Sequence, residues 1–182
     1  MGDGLEFRIG KQEAIQKASA QMNAGFWKRL LPKRQLISIE QMWVPCWCFD
    51  YKAFTHTVEE GMEGKIAIEP LSETNAILPE GFPIQEVEAA SVAIGKETSM
   101  EEAKKVIYWE LFSREKRREK ISVEIINKHV LYIPYWVVYV KDRSNQYDIT
   151  AVDGLNGKVD LPLKQTLLSY LMGQEEGLRD LG

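Results

Sequence analysis

Two stretches of the chain repeat their apolar residues every three or four positions, the spacing of one face of an α-helix. They cover residues 11–31 and 99–118. Ser99 and Glu102 begin the second stretch with a capping-box pattern, in which hydroxyl and carboxylate each accept a hydrogen bond from an amide at the helix start. We therefore predict two helices, each with one apolar face. The apolar positions are Ala14, Ile15, Ala18 and Met22 in the first, and Ala103, Val106, Ile107 and Leu111 in the second.

A different pattern, rich in β-branched and aromatic residues, follows each predicted helix and indicates strands. Each set of strands ends in a Gly-x-x-Gly-Lys sequence. Glycine at both ends of a four-residue loop is typical of a hairpin, because glycine adopts positive φ without strain. The predicted strands cover 36–40, 42–54, 121–127 and 130–140. Further strands at 57–60, 65–69, 146–152 and 158–161 flank the predicted turns, which cover 61–64 and 154–157.

Short sequences recur together with these elements. An aromatic–aliphatic–Pro–x–Trp sequence ends at Trp47 and again at Trp136, 89 positions later, and the Gly-x-x-Gly-Lys sequence recurs after 93 positions. Two sequences that recur in the same order along the chain indicate a duplicated unit. We predict an α+β fold of two tandem repeats, each a helix packed on a small antiparallel sheet. The predicted division is a first repeat at 1–72, a connector at 73–95, and a second repeat at 96–182 with a short C-terminal helix.

Charge and composition narrow the class of protein. The chain has 182 residues, which suffices for one ordinary domain or two small ones. The net charge of −4 argues against a nucleic-acid partner. No window reaches the roughly 18 apolar residues of a membrane span, and the first residues lack a signal-peptide pattern. These features favour a cytoplasmic location and a protein or peptide as the partner.

The chain has two cysteines, Cys46 and Cys48. In a strand they lie on the same face of one backbone, which is poor geometry for a disulfide. A Cys-x-Cys pair can supply half of a zinc site, but the other imidazoles and thiols of the chain are only His56 and His129. We interpret the thiols as small apolar residues in reducing surroundings, and we predict no metal and no cofactor.

The aromatic residues of the two proline-containing strands are the candidate ligand-binding residues: Trp43, Trp47, Tyr132 and Trp136. Paired aromatic grooves of this kind would suit a peptide or a small apolar ligand. The favoured interpretation is that Trp47 and Trp136 are equivalent core anchors covered by the two helices. A bulky aromatic side chain at the same place in both copies is what packing requires.

Basic residues close both predicted helices. Lys28 and Arg29 in the first match Arg117 and Arg118 in the second, and all four are candidates for contact with an anion or a partner. Cations at a helix C-terminus also complement the helix dipole, and this structural role is the favoured interpretation.

Residues suited to acid–base chemistry are sparse. His56 and His129 lie in none of the familiar nucleophile or metalloprotease motifs. Glu60 and Asp153 precede the two predicted turns, where carboxylates usually shape the turn. An enzyme would have to gather such residues from both repeats. The sequence therefore favours a protein that is not an enzyme.

The second half of the chain resembles PepSY-type modules, in which a helix is followed by a Trp-x-Val strand and an Asp-x-x-x-Gly-Lys-Val hairpin. The residues that carry the resemblance are Trp136 to Val138 and Asp153 to Val159. It covers about 99–161 and, more loosely, 11–69, where Glu60 replaces the aspartate. The resemblance implies a non-catalytic module that modulates peptidases or acts in the cell envelope.

Our leading hypothesis is a non-enzymatic interaction or regulatory module within a larger bacterial protein. One alternative is a domain that binds a small apolar ligand or a peptide in an aromatic groove. The other is an enzyme whose site forms between the repeats. Convergence of titratable residues in a cleft would favour the enzyme.

Overall fold

A computed structural model describes most of the chain, and strands dominate it. Of the described residues, 49% lie in strands and 26% in helices. The described residues are 1–22, 35–70, 75–78, 80–88, 96–114, 119–141, 145 and 147–169.

The elements follow the predicted order, but the two long strands are continuous where the sequence predicted breaks. β2 and β6 each run for 20 residues. Residues 161–169 form the predicted short C-terminal helix, with Leu163 and Leu167 buried. The other elements are β1 (Gly2–Leu5), α1 (Lys11–Met22), β2 (Gln35–Phe54), β3 (Met62–Ile68), β4 (Asn75–Leu78), β5 (Ile84–Val87), α2 (Met100–Arg114), β6 (Ser122–Lys141) and β7 (Tyr147–Asp153).

The seven strands form one mixed sheet. The strand order is β4-β3-β2-β6-β1-β5, and β7 also pairs with β6. β1 and β6 are parallel, whereas β2 with β3, β3 with β4, β1 with β5, and β6 with β7 are antiparallel. The two longest strands are therefore neighbours at the centre of the order.

The chain divides into two compact units, each built from two segments. The first unit consists of Met1–Leu5 and Val44–Ile133, and the second consists of Glu6–Trp43 and Pro134–Gly182. β2 supplies residues 35–43 to the second unit and 44–54 to the first, and β6 supplies 122–133 to the first and 134–141 to the second.

The core of the first unit lies between α2 and the strands β2 and β3. α2 buries Ala103 and Ile107 completely. Alternate residues of β2 point at the helix, as the two-residue period of a strand requires. The buried members of this core are Phe49, Tyr51, Ala53, Ile66, Ile68, Ala103, Ile107 and Ile121.

The core of the second unit lies between α1 and the strands β6 and β7. Ala14 and Ala18 are small and fully buried, so the helix backbone approaches the sheet closely. They pack on the large side chain of Trp136 and on three valines. Those valines are Val138, Val140 and Val152.

The predicted α+β fold of two tandem repeats, each a helix on its own small antiparallel sheet, is wrong. The protein is mostly β, and its strands join one large mixed sheet. Each helix also packs on a strand from the other half of the chain: α1 on β6 and α2 on β2. The spacing of apolar residues identifies the buried face of a helix, but it cannot identify the strand that covers that face.

The two predicted hairpin turns have different outcomes. The second is confirmed: Gly157 has φ 74° and donates its amide to the Asp153 carbonyl, and Val152 bridges Val159. The first turn lies earlier than predicted. Gly61, with φ 82°, ends it, and Gly64 lies within β3, opposite Tyr51. A hydrogen-bonded loop between Thr55 and Val58 makes the turn instead.

Candidate functional sites

Two of the four predicted aromatic residues meet in the second unit. Trp136 is buried and donates its indole N–H to the Ile9 carbonyl over 2.8 Å. The Phe7 ring contacts both Trp136, at 4.7 Å between centroids, and Trp43, at 5.3 Å. Trp136 is a core anchor, as the favoured interpretation held, with its one polar atom satisfied.

The other two aromatic residues lie in the first unit. Trp47 is partly buried against the α2 core, and the Lys128 ammonium lies 4.5 Å from its ring centroid. Tyr132 is opposite Gly4 in the sheet, and its ring fills the space beside Gly2, where an added Cβ would lie 2.5 Å from it. Ligand binding by these four residues stays a prediction.

The predicted basic contact residues, Lys28, Arg29, Arg117 and Arg118, lie outside the described residues.

The candidate acid–base residues have separate surroundings. His56 and Glu60 are exposed in the loop between β2 and β3. The Asp153 carboxylate accepts hydrogen bonds from the backbone amides of Leu155 and Asn156, at 2.7 and 3.1 Å. Burial raises the pKa of Asp153, and these hydrogen bonds oppose that rise. Asp153 therefore shapes the second hairpin.

A cluster of aromatic residues that the sequence did not single out lies on α2. Tyr108 stacks on Phe112 at 5.9 Å between centroids, and Trp109 stands edge-on to both. Trp109 is 64% exposed, although tryptophan is usually well buried. We call Tyr108, Trp109 and Phe112 the α2 aromatic surface.

Charged side chains of both signs lie near this surface. Lys105 precedes Trp109 by one helical turn and is exposed, and Glu110 directly follows Trp109. Arg114 lies two turns after Ile107, on the sheet side of the helix, where it borders a cavity together with Ala53 and Leu111. Within the described residues Lys105 has no ion-pair partner, and Glu102, one turn earlier, is already bonded to Ser99 at the helix start. The surface is therefore aromatic, with the Lys105 ammonium at its border.

A second candidate site lies on the face of β2 that points away from α2. Cys48 and Asp50 come from β2, and His129 comes from the neighbouring strand β6. The Cys48 Sγ, one carboxylate oxygen of Asp50 and one imidazole nitrogen of His129 all lie within 4.8 Å of one another. Among the described residues, these three form the group of donor side chains that could hold a metal ion.

The electrostatics of this cluster follow from its burial and its charges. Cys48 is fully buried, and burial, followed by the nearby charge of Asp50, raises the pKa of its thiol to about 11. Lys65, opposite Asp50 on β3, donates to Asp50 Oδ1 over 2.6 Å. This hydrogen bond is the main cause that raises the pKa of Lys65.

Only part of each of these two sites could be recognised from the sequence. The alternation of a strand places Cys48 and Asp50 on one face, but no local signal joins them to His129, which lies 81 positions after Cys48. For α2, the helical spacing identified Ala103 and Ile107 as buried, and Trp109 then falls on the opposite face.

No helix among the described residues has the length and apolar character needed to cross a membrane. No protein-family model, curated protein or solved structure matches the chain. The resemblance to PepSY-type modules therefore stays a prediction.

Proposed function

We propose that the protein is a non-enzymatic interaction module that binds a protein or peptide partner through the α2 aromatic surface. The observation that carries this proposal is the 64% exposure of Trp109 beside two further aromatic rings. Tryptophan and tyrosine are the residues on which binding energy most often concentrates in protein interfaces.

The way α2 is packed supports this function. Ala103 and Ile107 fix the helix to the sheet, and Tyr108 and Phe112 pack partly against the same core, so Trp109 is the ring that projects outwards. A helix that carries large apolar side chains on both faces favours a partner on its outer face. Because the three rings contact one another, little side-chain entropy is lost when a partner covers them.

The charges around the rings define the partner's chemistry. The exposed Lys105 favours a segment that carries aspartate or glutamate next to an apolar side chain. The apolar side chain would pack on Trp109, and the carboxylate would lie near the Lys105 ammonium. Charge complementarity at the border of an interface raises the association rate and selects among apolar partners.

The location we propose for this module is the reducing cytoplasm. Neither Cys46 nor Cys48 forms a disulfide, and both are buried. Free buried thiols are usual in proteins of reducing compartments.

A peptide library displayed on phage tests the proposed function directly. We expect selection on the purified protein to enrich peptides that combine an aromatic or aliphatic anchor with an acidic residue. Synthetic copies of these peptides should bind Trp109→Ala at least tenfold more weakly than the wild type, because truncating an interface hot spot costs about 2 kcal/mol or more. Fluorescence polarisation with labelled peptides measures the change.

The matched control is Tyr147→Ala, which removes a ring that is 70% exposed on β7. This variant should bind the selected peptides as the wild type does. The proposal is contradicted if no peptide is enriched, or if Trp109→Ala retains full affinity for those that are.

A further inference from the structure

Two neighbouring strands bring three metal-binding side chains to one face of the sheet. Cys48 and Asp50 alternate along β2, so both point away from the α2 core into which Phe49 projects. On β6, Lys128 points towards the Trp47 ring, and the next residue, His129, therefore points to the opposite face. Sulfur, oxygen and nitrogen donors thus converge from two strands that lie side by side.

The spacing of the three donors is close to that of a coordination shell. Zinc lies about 2.0–2.3 Å from its ligands, which places tetrahedral donors about 3.3–3.8 Å from one another. The three donors here lie within 4.8 Å of one another. The donors need to approach one another by about 1 Å to share one zinc ion.

The imidazole of His129 supplies a second, independent observation. Its Nδ1 is buried and has no hydrogen-bond partner among the described residues. A buried nitrogen left without a partner costs about 1–3 kcal/mol, and native proteins seldom keep one without a reason. A bound cation in reach of this nitrogen would remove that cost.

From this geometry we propose that Cys48, Asp50 and His129 form a zinc-binding site. Thiolate, imidazole and carboxylate are the three kinds of side chain that bind Zn²⁺. A thiolate–imidazole pair disfavours Mg²⁺ and Ca²⁺, which prefer oxygen ligands. Three protein ligands leave the fourth tetrahedral position for water or for an exogenous ligand.

The surroundings of Asp50 provide both a second shell and a route of entry. Lys65 holds Oδ1 and is itself half exposed, so Oδ2 is the oxygen left for the metal. Asp50 and Lys65 also border an open cavity of about 360 Å³ in the first unit. Zinc therefore reaches the buried thiol from the Asp50 side, and the Lys65 ammonium fixes the carboxylate in position.

Titration with Co²⁺ and Zn²⁺ under reducing conditions tests the site on the whole chain, purified without a histidine tag. We expect one equivalent of Co²⁺ to give a thiolate-to-cobalt charge-transfer band together with the d–d bands of a tetrahedral site. Zn²⁺ should displace the cobalt and abolish both spectra, because Zn²⁺ binds tetrahedral thiolate sites more tightly than Co²⁺ does.

The chain offers a matched control for two of the ligands, since it has two cysteines and two histidines. Cys48→Ala and His129→Gln should each weaken cobalt binding at least a hundredfold. Cys46→Ala and His56→Gln should keep the wild-type affinity and spectrum. Circular dichroism shows which variants fold, and if Cys48→Ala does not, His129→Gln and Asp50→Asn decide the question.

The proposal is overturned if the wild type shows no thiolate band, or if Cys48→Ala or His129→Gln binds cobalt as the wild type does. It is also overturned if Cys46→Ala loses the band. None of these results depends on peptide binding at α2, so the zinc site and the proposed function fail or stand separately.

Discussion

Among single residues, Cys48 shows how burial within the sheet changes the chemistry of one side chain. The thiol is fully buried beside the Asp50 carboxylate, and both conditions disfavour the thiolate. Without metal, Cys48 is therefore a neutral, unreactive group at physiological pH. Cys46, two residues earlier, is also buried, and its thiol lies 3.8 Å from the Val44 carbonyl.

The raised pKa of Cys48 predicts a specific loss of stability in alkali. Its folded-state pKa, about 11, lies above the unfolded value of 9.0, so the folded protein holds this proton more tightly. The free energy of unfolding should therefore fall as the pH rises from about 9 to about 11, by about 2–3 kcal/mol in total.

Urea denaturation at several pH values, with chelator and reductant present, measures this loss. The slope of stability against pH should be smaller for Cys48→Ala than for the wild type. Tyr51, which is buried, and Tyr139, which is half-buried, also have pKa values raised by burial, but they titrate in both proteins and cancel in the comparison. Equal slopes would show that Cys48 is not the group responsible.

At the scale of the elements, the start of α2 is the feature most completely specified by local sequence. The Ser99 amide donates to Glu102 Oε2 over 2.9 Å, and the Glu102 amide donates to Ser99 Oγ over 3.2 Å. These bonds confirm the predicted capping box. Hydrogen bonds to the Glu102 carboxylate, first from the Ser99 amide and then from the Ser99 side chain, are the leading causes that lower the pKa of Glu102.

Removing the cap should destabilise the helix that carries the α2 aromatic surface. We expect Ser99→Ala to lower the free energy of unfolding by about 1 kcal/mol, because the Glu102 amide at the helix start loses its side-chain partner. Ser113→Ala removes a hydroxyl that only bonds back to the Glu110 carbonyl, and should change stability much less. Equal effects of the two substitutions in thermal denaturation would count against the capping role.

The sequence predicted the elements better than it predicted their partners. Periodicity located the helices, the aromatic strands and the second hairpin, because these depend on neighbours a few residues apart. It did not show that two predicted strands fuse into the 20-residue β2, or that α2 covers Phe49 and Tyr51. Pairing of this kind depends on contacts between residues far apart in the chain.

The residues of the candidate sites were likewise predictable only where local sequence determines their position. The alternation of side chains along β2 places Cys48 and Asp50 on one face, and this could be recognised from the sequence. His129 joins them only because β6 lies beside β2 in the sheet. Trp109 was visible as an aromatic residue in a helix, but its exposure depends on which face of α2 the strands cover.

At the scale of the whole molecule, both proposals depend on the exchange of elements between the two halves of the chain. α2 comes from the second half, whereas the residues on which it packs come from β2 and β3 in the first. α1 comes from the first half and packs on β6 and β7. The Cys48–Asp50–His129 cluster takes residues from both halves, and the helix that carries the α2 aromatic surface packs on residues from the first half.

Separate expression of residues 1–95 and 96–182 tests this claim most directly. Each fragment leaves its helix without the strand that covers it, so we expect each alone to give the poorly dispersed amide spectrum of an unfolded chain. An equimolar mixture should regain dispersed signals and cooperative unfolding. A well-dispersed spectrum from either fragment alone would contradict the account, because that half would then fold on its own contacts.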